Sequence, residues 1–361
     1  MAITLKRINA LKQAAFRKGG FNGFLIFNAA NLTYFTSFPG ASALLIPEKG
    51  ESISYVYGVN YAQAKTELAE FKVELVNRGE NLMDKIAKQA KAFKIGMLAV
   101  DALNSESWHA LARGLGDEKK LATDPRFIRE LRKVKDAEEI ELMRKAAELT
   151  SEGMRVARKT VVAGVREYEV AAEIEYAMRK QGCSGTAFET IVASGVCSAF
   201  PHGSCSDREI REGDLVVVDV GATYGFYRSD MTRTFVAGNP SEKQRKIYQV
   251  VKAAQDNAFE AVKSKVKAST VDTIARKVIT DAGYGDYFVH GLGHGVGLDV
   301  HEPPTLSPDS KDVLAAGNIV TIEPGVYLVG YGGVRIEDTV LVQRNGAEKL
   351  TSGTYVLGKE Q

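Results

Sequence analysis

The chain has 361 residues, enough for roughly two domains that each bury a core of their own. Lys and Arg number 47 against 45 acids, a net charge of +2 without single-sign blocks, so nucleic acid and anionic membrane are not expected partners. Three cysteines without a C-x-x-C pair, no signal-type apolar run at the start, and no stretch near the ~20 apolar residues of a membrane span point to a soluble cytoplasmic protein with reduced thiols.

Residues 4–18 carry helical periodicity, with Leu5, Ile8, Leu11, Ala15 and Phe16 on one face. Residues 23–27, 43–47, 53–57 and 94–98 read as short strands, giving an N-terminal α/β unit. Tyr34, Phe35, Phe38 and Trp108 are expected in its core, the alternative being contact with a partner subunit. A polar crossing follows at 121–135, with Asp124-Pro125 as a start signal. The expected organisation is a first domain at 1–125, a linker at 126–135 and a second domain at 136–361. From Asp136 a long amphipathic helix sets Ile140, Met143, Ala147 and Met154 against charged residues, and another helix is expected around 240–265. Helices layered on one side of a mostly antiparallel sheet give the second domain an α+β class.

The chemistry concentrates in that second domain. Four of the five histidines, His202, His290, His294 and His301, are interleaved with Asp219, Asp230, Glu323 and Glu337, while His109 stands apart. Histidine nitrogen and carboxylate oxygen are donors for divalent metal ions. Residues 215–236 form two β-rich runs around Tyr224-Gly225. With those two residues as the loop, Thr223 faces Phe226 and Asp219 lies directly opposite Asp230. Opposed carboxylates on one sheet face repel unless a cation sits between them; two solvated hairpin acids are the alternative. Asp219 follows the apolar run 215–218, which favours burial. A second pair, Glu323 and Glu337, flanks a glycine-rich turn at 330–333. Pro324 lets the chain leave the sheet after Glu323. Arg335 shares a strand face with Glu337, and Asp338 points the other way as a structural residue.

Between the pairs, glycines at 291, 293, 295 and 297 alternate around His294, which lets the backbone approach a neighbour closely. The spacing is not a dinucleotide fingerprint, and neither a phosphate loop nor a G-x-S-x-G elbow is present, so no organic cofactor is expected. Four carboxylates are too many for a structural zinc and suit two adjacent divalent ions, roughly 3.5–4 Å apart in two-metal hydrolases. Spare histidines would then handle protons and stabilise an intermediate.

Thr186-Ala-Phe-Glu-Thr-Ile-Val-Ala-Ser-Gly195, Pro201-His-Gly203, Val218-Asp-Val-Gly221 and Ser229-Asp-Met-Thr-Arg-Thr234 form one set of ordered blocks. Gly293-His-Gly-Val-Gly-Leu-Asp-Val-His-Glu-Pro303, Thr321-Ile-Glu-Pro-Gly325 and Gly333-Val-Arg-Ile-Glu-Asp338 follow. Through these, residues 186–342 resemble the catalytic domain of the pita-bread metallopeptidases, the family of aminopeptidase P, prolidase and methionine aminopeptidase. Residues 284–298 are similar to archaeal prolidases, and residues 31–34 resemble a segment of these enzymes' N-terminal domains. The resemblance implies a two-domain chain: a creatinase/prolidase-like N-terminal α/β domain before an α+β pita-bread domain with a curved, mostly antiparallel sheet. It implies Asp219, Asp230, His294, Glu323 and Glu337 as metal ligands. Asp230 and Glu337 would bridge the ions, His294 and Glu323 would hold one, and Asp219 would chelate the other. Glu323 would also handle the proton, His202, His290 and His301 would surround the substrate, and Arg335 would support the site.

The implied activity is hydrolysis of an Xaa-Pro dipeptide by hydroxide bridging two divalent ions, Mn²⁺ first with Co²⁺ or Zn²⁺ as competitors, in a homodimer. Xaa-Pro bonds lack the N–H that many peptidases grip. One departure stands out: Thr305 occupies a position where similar prolidases usually carry arginine. Threonine cannot pair with a terminal carboxylate, so aminopeptidase P acting on longer peptides is the alternative, and a non-catalytic metal-binding scaffold a more distant one.

Overall fold

A computed structural model describes residues 3–358 and divides the chain into two compact units, residues 1–132 and 133–361. The outer ends of the two expected domains, residues 1–2 and 359–361, lie outside the described residues. In the first unit, α1 (Ile3–Lys18), β1 (Gly23–Ile26), α2 (Ala29–Thr36), β2 (Ala43–Pro47), β3 (Ile53–Tyr57), α3 (Gly58–Glu67) and β4 (Lys72–Val76) come first. They are followed by α4 (Leu82–Ala92), β5 (Leu98–Val100), α5 (Ser105–Leu115), β6 (Leu121–Thr123) and α6 (Arg126–Lys133). The strands form one mixed sheet in the order β4-β3-β2-β1-β5-β6. Leu25, Leu45, Tyr55, Ile86, Leu98 and Leu111 join its strands to α4 and α5 in one apolar cluster. Tyr34, Phe35 and Phe38 are buried as expected, whereas Trp108 is half-buried on α5 and donates its indole N–H to Glu118 at 2.8 Å.

Two expectations need correction here. The strand expected at 94–98 begins only at Leu98, because Lys94 turns the chain after α4 with φ of 57°. The expected linker is largely helical: Asp124 accepts from the Arg126 backbone N–H at 3.2 Å, and Ile128 is buried in the turn that follows.

The second unit contains two helical hairpins, α7 (Ala137–Thr160) with α8 (Glu167–Lys180), and α9 (Glu242–Ala261) with α10 (Ala268–Asp281). Its strands are β7 (Gly185–Thr186), β8 (Ile191–Ser194), β9 (Leu215–Val220), β10 (Ala222–Tyr224), β11 (Tyr227–Arg228) and β12 (Met231–Val236), then β13 (Gly293–Gly295). The rest are β14 (Glu302–Leu306), β15 (Ile319–Ile322), β16 (Gly325–Leu328), β17 (Gly332–Arg335), β18 (Asp338–Val342) and β19 (Ala347–Lys349). Every described pairing among them is antiparallel. Met154 and Ile174 of the first hairpin cluster with Val216, Val218 and Met231. Val251, Val271 and Ala275 of the second cluster with Val320, Ile322 and Val340. Capping boxes, Asp136 with Glu139 and Ser241 with Gln244, start α7 and α9 by satisfying their first backbone N–H groups.

The metal hairpin also departs from its expected register. Its two loop residues are Gly225 and Phe226, at φ of 54° and 72°, so the turn is of the doubly left-handed kind. Tyr224 then pairs with Tyr227, and Asp219 pairs with Thr232 rather than Asp230. The expectation placed the glycine second in the loop; it stands first, and Phe226 accepts the strained conformation. Continuing the register sets Asp230 across from Gly221, so the two acids are diagonal neighbours on one face instead of direct partners.

Candidate metal centre

Strand ends carry most of the site. Asp219 lies near the end of β9, Asp230 immediately before β12, His294 in the middle of β13, Glu323 just after β15, and Glu337 between β17 and β18. These are the points where a chain leaves a sheet and a side chain can turn into a cleft. The glycines around His294 make the approach possible: a Cβ on Gly293 would stand 2.2 Å from the Thr321 carbonyl oxygen, and one on Gly295 2.4 Å from that of Pro303. β13, with His294 at its centre, thereby fits between β14 and β15.

The side chains converge. Ligand atoms of Asp230, His294 and Glu337 lie within 4.8 Å of one another. His294 Nε2 is 3.2 Å from Glu323 Oε1 and 3.7 Å from Asp230 Oδ2. Asp219 Oδ2 accepts from Arg335 Nη2 at 2.6 Å. All nine residues singled out from the sequence line one cavity of about 490 Å³, together with Phe188, Glu189, Val300 and Thr305. His202 and His301 stand on its exposed side, and the His301 ring lies 4.2 Å from that of His294. His290 accepts or donates through Nε2 to the Tyr327 hydroxyl at 2.9 Å, and its Nδ1 is 2.7 Å from the Gly291 carbonyl.

The electrostatics of the protein groups alone explain what such a cluster demands. Burial and then the neighbouring Asp219 raise the Asp230 pKa well above the carboxylate range. Burial and then Asp230 do the same to Glu337. Burial would also raise Glu323, but its hydrogen bond with His294 and the positive charge there outweigh this and bring it to about 2. His294, which burial would lower, is lifted to about 9 by Glu323 and Asp230. Burial lowers His290, and burial with the His294 charge lowers His301, so both favour the neutral imidazole. Like charges at this spacing call for added positive charge.

A family model for metallopeptidase family M24 matches residues 141–344, more than half of the chain, and one for the creatinase/prolidase N-terminal domain matches residues 7–134. The chain belongs to metallopeptidase family M24. An Xaa-Pro dipeptidase of Pyrococcus furiosus is 42% identical over 327 residues, covering 90% of this chain and 92% of that protein. The solved structure of an Xaa-Pro dipeptidase from Bacillus anthracis matches with a TM-score of 0.93 at 35% identity, covering 99% of this chain and 100% of that one. An X-Pro aminopeptidase from Thermotoga maritima matches with a TM-score of 0.86 at 36% identity, over 94% and 98% of the two chains. The M24 peptidase thus has the two parts its sequence resembled, a creatinase-type N-terminal unit and a pita-bread unit.

Family M24 implies divalent metal, and the donor set of this M24 peptidase fits it. Asp219 Oδ1, Asp230 Oδ1 and Glu337 Oε1 are buried carboxylate oxygens without a protein hydrogen-bond partner. Such atoms are costly unless something binds them. Asp338 behaves as the expected structural residue: it pairs with Arg233 at 2.8 Å and accepts from Gln255 at 2.6 Å.

Three contributors escaped the sequence reading. Thr232 Oγ1 donates to Glu337 Oε2 at 2.6 Å and accepts from Arg335 Nε at 3.0 Å. Its two-residue spacing from Asp230 was the available signal. Thr321, two before Glu323, donates to that carboxylate at 3.1 Å and accepts from the His294 backbone N–H at 3.1 Å. Tyr327 accepts from Arg335 Nη1 at 3.0 Å, and burial pushes its hydroxyl up to about 12. Nothing local in the sequence points to it.

Proposed function

We propose that this M24 peptidase is a cytoplasmic, homodimeric Xaa-Pro dipeptidase that uses two divalent ions, Mn²⁺ by preference. The observation that carries this reading is the convergence of partnerless buried carboxylate oxygens and a histidine pair on one cavity. In this reading Asp219, Asp230, His294, Glu323 and Glu337 would hold the ions, His294 and Glu323 on one side and Asp219 on the other. Carboxylate-rich shells suit Mn²⁺, with Co²⁺ and Zn²⁺ competing by availability. When bound, such ions would supply an activated water and polarise the scissile carbonyl.

The chain's own groups do the rest. Asp230 faces the substrate's free amino group, which confines cleavage to the first bond. Neutral His301 donates to the developing oxyanion, a contribution of about 3–4 kcal/mol for one well-placed donor; His290 stands on the same wall, its Nδ1–H given to the Gly291 carbonyl and its Nε2 against the Tyr327 hydroxyl. Glu323 takes a proton from the attacking water and returns it to the proline nitrogen, which must be protonated to leave. Arg335 orients Asp219 through its 2.6 Å contact. A cavity of about 490 Å³ is of the size that encloses small ligands.

One observation favours a second reading, an Xaa-Pro aminopeptidase. Among the described residues that line the cavity, Arg335 is the single Lys or Arg, it is already engaged by Asp219, and Thr305 adds no charge. A dipeptide's terminal carboxylate would need its cation from elsewhere.

The test is Ala-Pro hydrolysis by chelator-stripped protein, with ions added back singly. Activity should return with Mn²⁺ and fall by at least about 100-fold in Glu323→Gln, the range of a lost general acid-base. Near wild-type turnover in that variant would remove Glu323 from its assigned role.

A further inference from the structure

Helix α10 grips the segment that carries His290 from behind. Arg276 donates through Nε and Nη2 to both carboxylate oxygens of Asp272, each at 2.9 Å, one helical turn earlier. Its remaining reach goes to backbone: Nη1 to the Phe288 carbonyl at 2.9 Å and Nη2 to the His290 carbonyl at 2.8 Å. Four of the guanidinium's five N–H donors are thus used. Asp272, fully buried, also accepts from the Leu292 backbone N–H at 3.0 Å. The guanidinium stacks 4.1 Å over the Phe288 ring, and that ring meets the His290 ring edge-on at 5.2 Å. One ion pair therefore fixes residues 288, 290 and 292 in turn. Phe288 and Leu292 are anchored in the core, but Val289 is exposed and Gly291 has no side chain, so the stretch between the two anchors that carries His290 has little packing of its own.

We infer that Arg276 and Asp272 are positioning residues that aim the His290 imidazole into the cavity, where Tyr327 holds its other end. The inference rests on the reading of His290 as part of the catalytic machinery. A planar fork is what the geometry requires: a lysine offers a point charge that can pair with Asp272 but cannot span a carboxylate and two carbonyls at once. The helix supplies rigidity, since both residues lie on one face four apart and the carboxylate is closed off from water. A comparable device ties the His202 loop to the first hairpin. Glu167 at the start of α8 accepts from both the backbone and the hydroxyl of Ser194 and of Ser206, on either side of that loop.

The experiment is a double-mutant cycle in the metal-loaded enzyme with Ala-Pro, following kcat, KM and bound metal. Arg276→Ala should lower kcat by about 10- to 100-fold, the scale of an ångström-sized misplacement, with KM and metal content held within about twofold. In a His290→Ala background the same substitution should cost less than about twofold, because the group it aims is gone. Arg276→Lys, which keeps the charge beside Asp272 and so the helix, should still lose at least about fivefold in kcat. Equal losses in both backgrounds would make the pair a general fold element and overturn the inference. Wild-type kcat in Arg276→Lys, or in Arg276→Ala beside an impaired His290→Ala, would overturn it alone. Wild-type kcat in His290→Ala would remove the catalytic reading of His290 and the inference with it.

Discussion

Replacing Arg335 by methionine separates the protein's own electrostatics from those of bound ions. Arg335 is buried, with Nη2 at 2.6 Å from Asp219, Nη1 at 3.0 Å from Tyr327 and Nε at 3.0 Å from Thr232. Methionine fills much of the same volume and deletes the charge. In chelated protein, half-buried Asp219 is then left beside Asp230 without its counter-ion, and breaking a largely buried pair in this way costs up to about 3–5 kcal/mol. Two divalent ions would restore positive charge to the same carboxylates. The loss in loaded protein should then shrink to the hydrogen bonds to Tyr327, Thr232 and the Pro201 carbonyl, about 1–2 kcal/mol. At about 2–4 °C per kcal/mol for a unit of this size, the melting temperature should fall by about 10 °C in chelator and about 4 °C with Mn²⁺. Far-UV circular dichroism is the assay, because the single tryptophan, Trp108, lies in the N-terminal unit and does not report on this one. Equal losses with and without metal would refute the idea that ions and Arg335 compensate the same cluster.

Gly293→Ala should be incompatible with the site: its methyl would meet the Thr321 carbonyl at 2.2 Å, pushing β13 from β15 and parting His294 from Glu323. A stability loss of about 1–3 kcal/mol and less than one bound ion per chain by elemental analysis are expected. Asp338→Asn should flatten the acid limb of stability. Burial would raise the Asp338 pKa, but Arg233, Lys349 and the Tyr355 hydroxyl hold it below the ordinary value. Its contribution is therefore present above the unfolded pKa of about 3.9 and is lost as pH falls through the lower folded value. Urea midpoints between about pH 3 and pH 7 should show a smaller pH dependence in the variant, with lower stability at neutral pH. Thr305→Arg should place a cation on the cavity wall and lower KM for Ala-Pro by about 10-fold while leaving KM for Ala-Pro-amide within about twofold, as read by steady-state kinetics.

Much of the site was legible because its donors sit in short motifs at strand ends, where glycine or proline lets the chain turn. The alternating glycines around His294 announced a close backbone approach, and β13 indeed runs against Thr321 and Pro303. Arg335 and Glu337 both line the cavity, but Glu337 stands between β17 and β18, so the shared strand face expected from period two is not what brings them together. The hairpin register did not follow, because local rules do not foresee a phenylalanine at φ of 72°. Helix α10 went unread: it opens with Ala268-Ser-Thr, β-branched residues recur through it, and its stability comes from packing against α9. Tyr327, Asp272 and Arg276 matter through partners on other strands and loops, and no spacing in a single chain reveals such contacts. The likeness of the two helical hairpins, each backing one antiparallel sheet, is a matter of packing and leaves no repeat in the residues.

The most direct test compares Mn²⁺-loaded protein on Ala-Pro, Ala-Pro-amide and Ala-Pro-Ala. The account predicts rapid release of proline from Ala-Pro and poor turnover of the other two. Good turnover of the amide and the tripeptide would make the protein an aminopeptidase and contradict the dipeptidase reading; no cleavage of any, with metal bound, would contradict the Xaa-Pro assignment altogether.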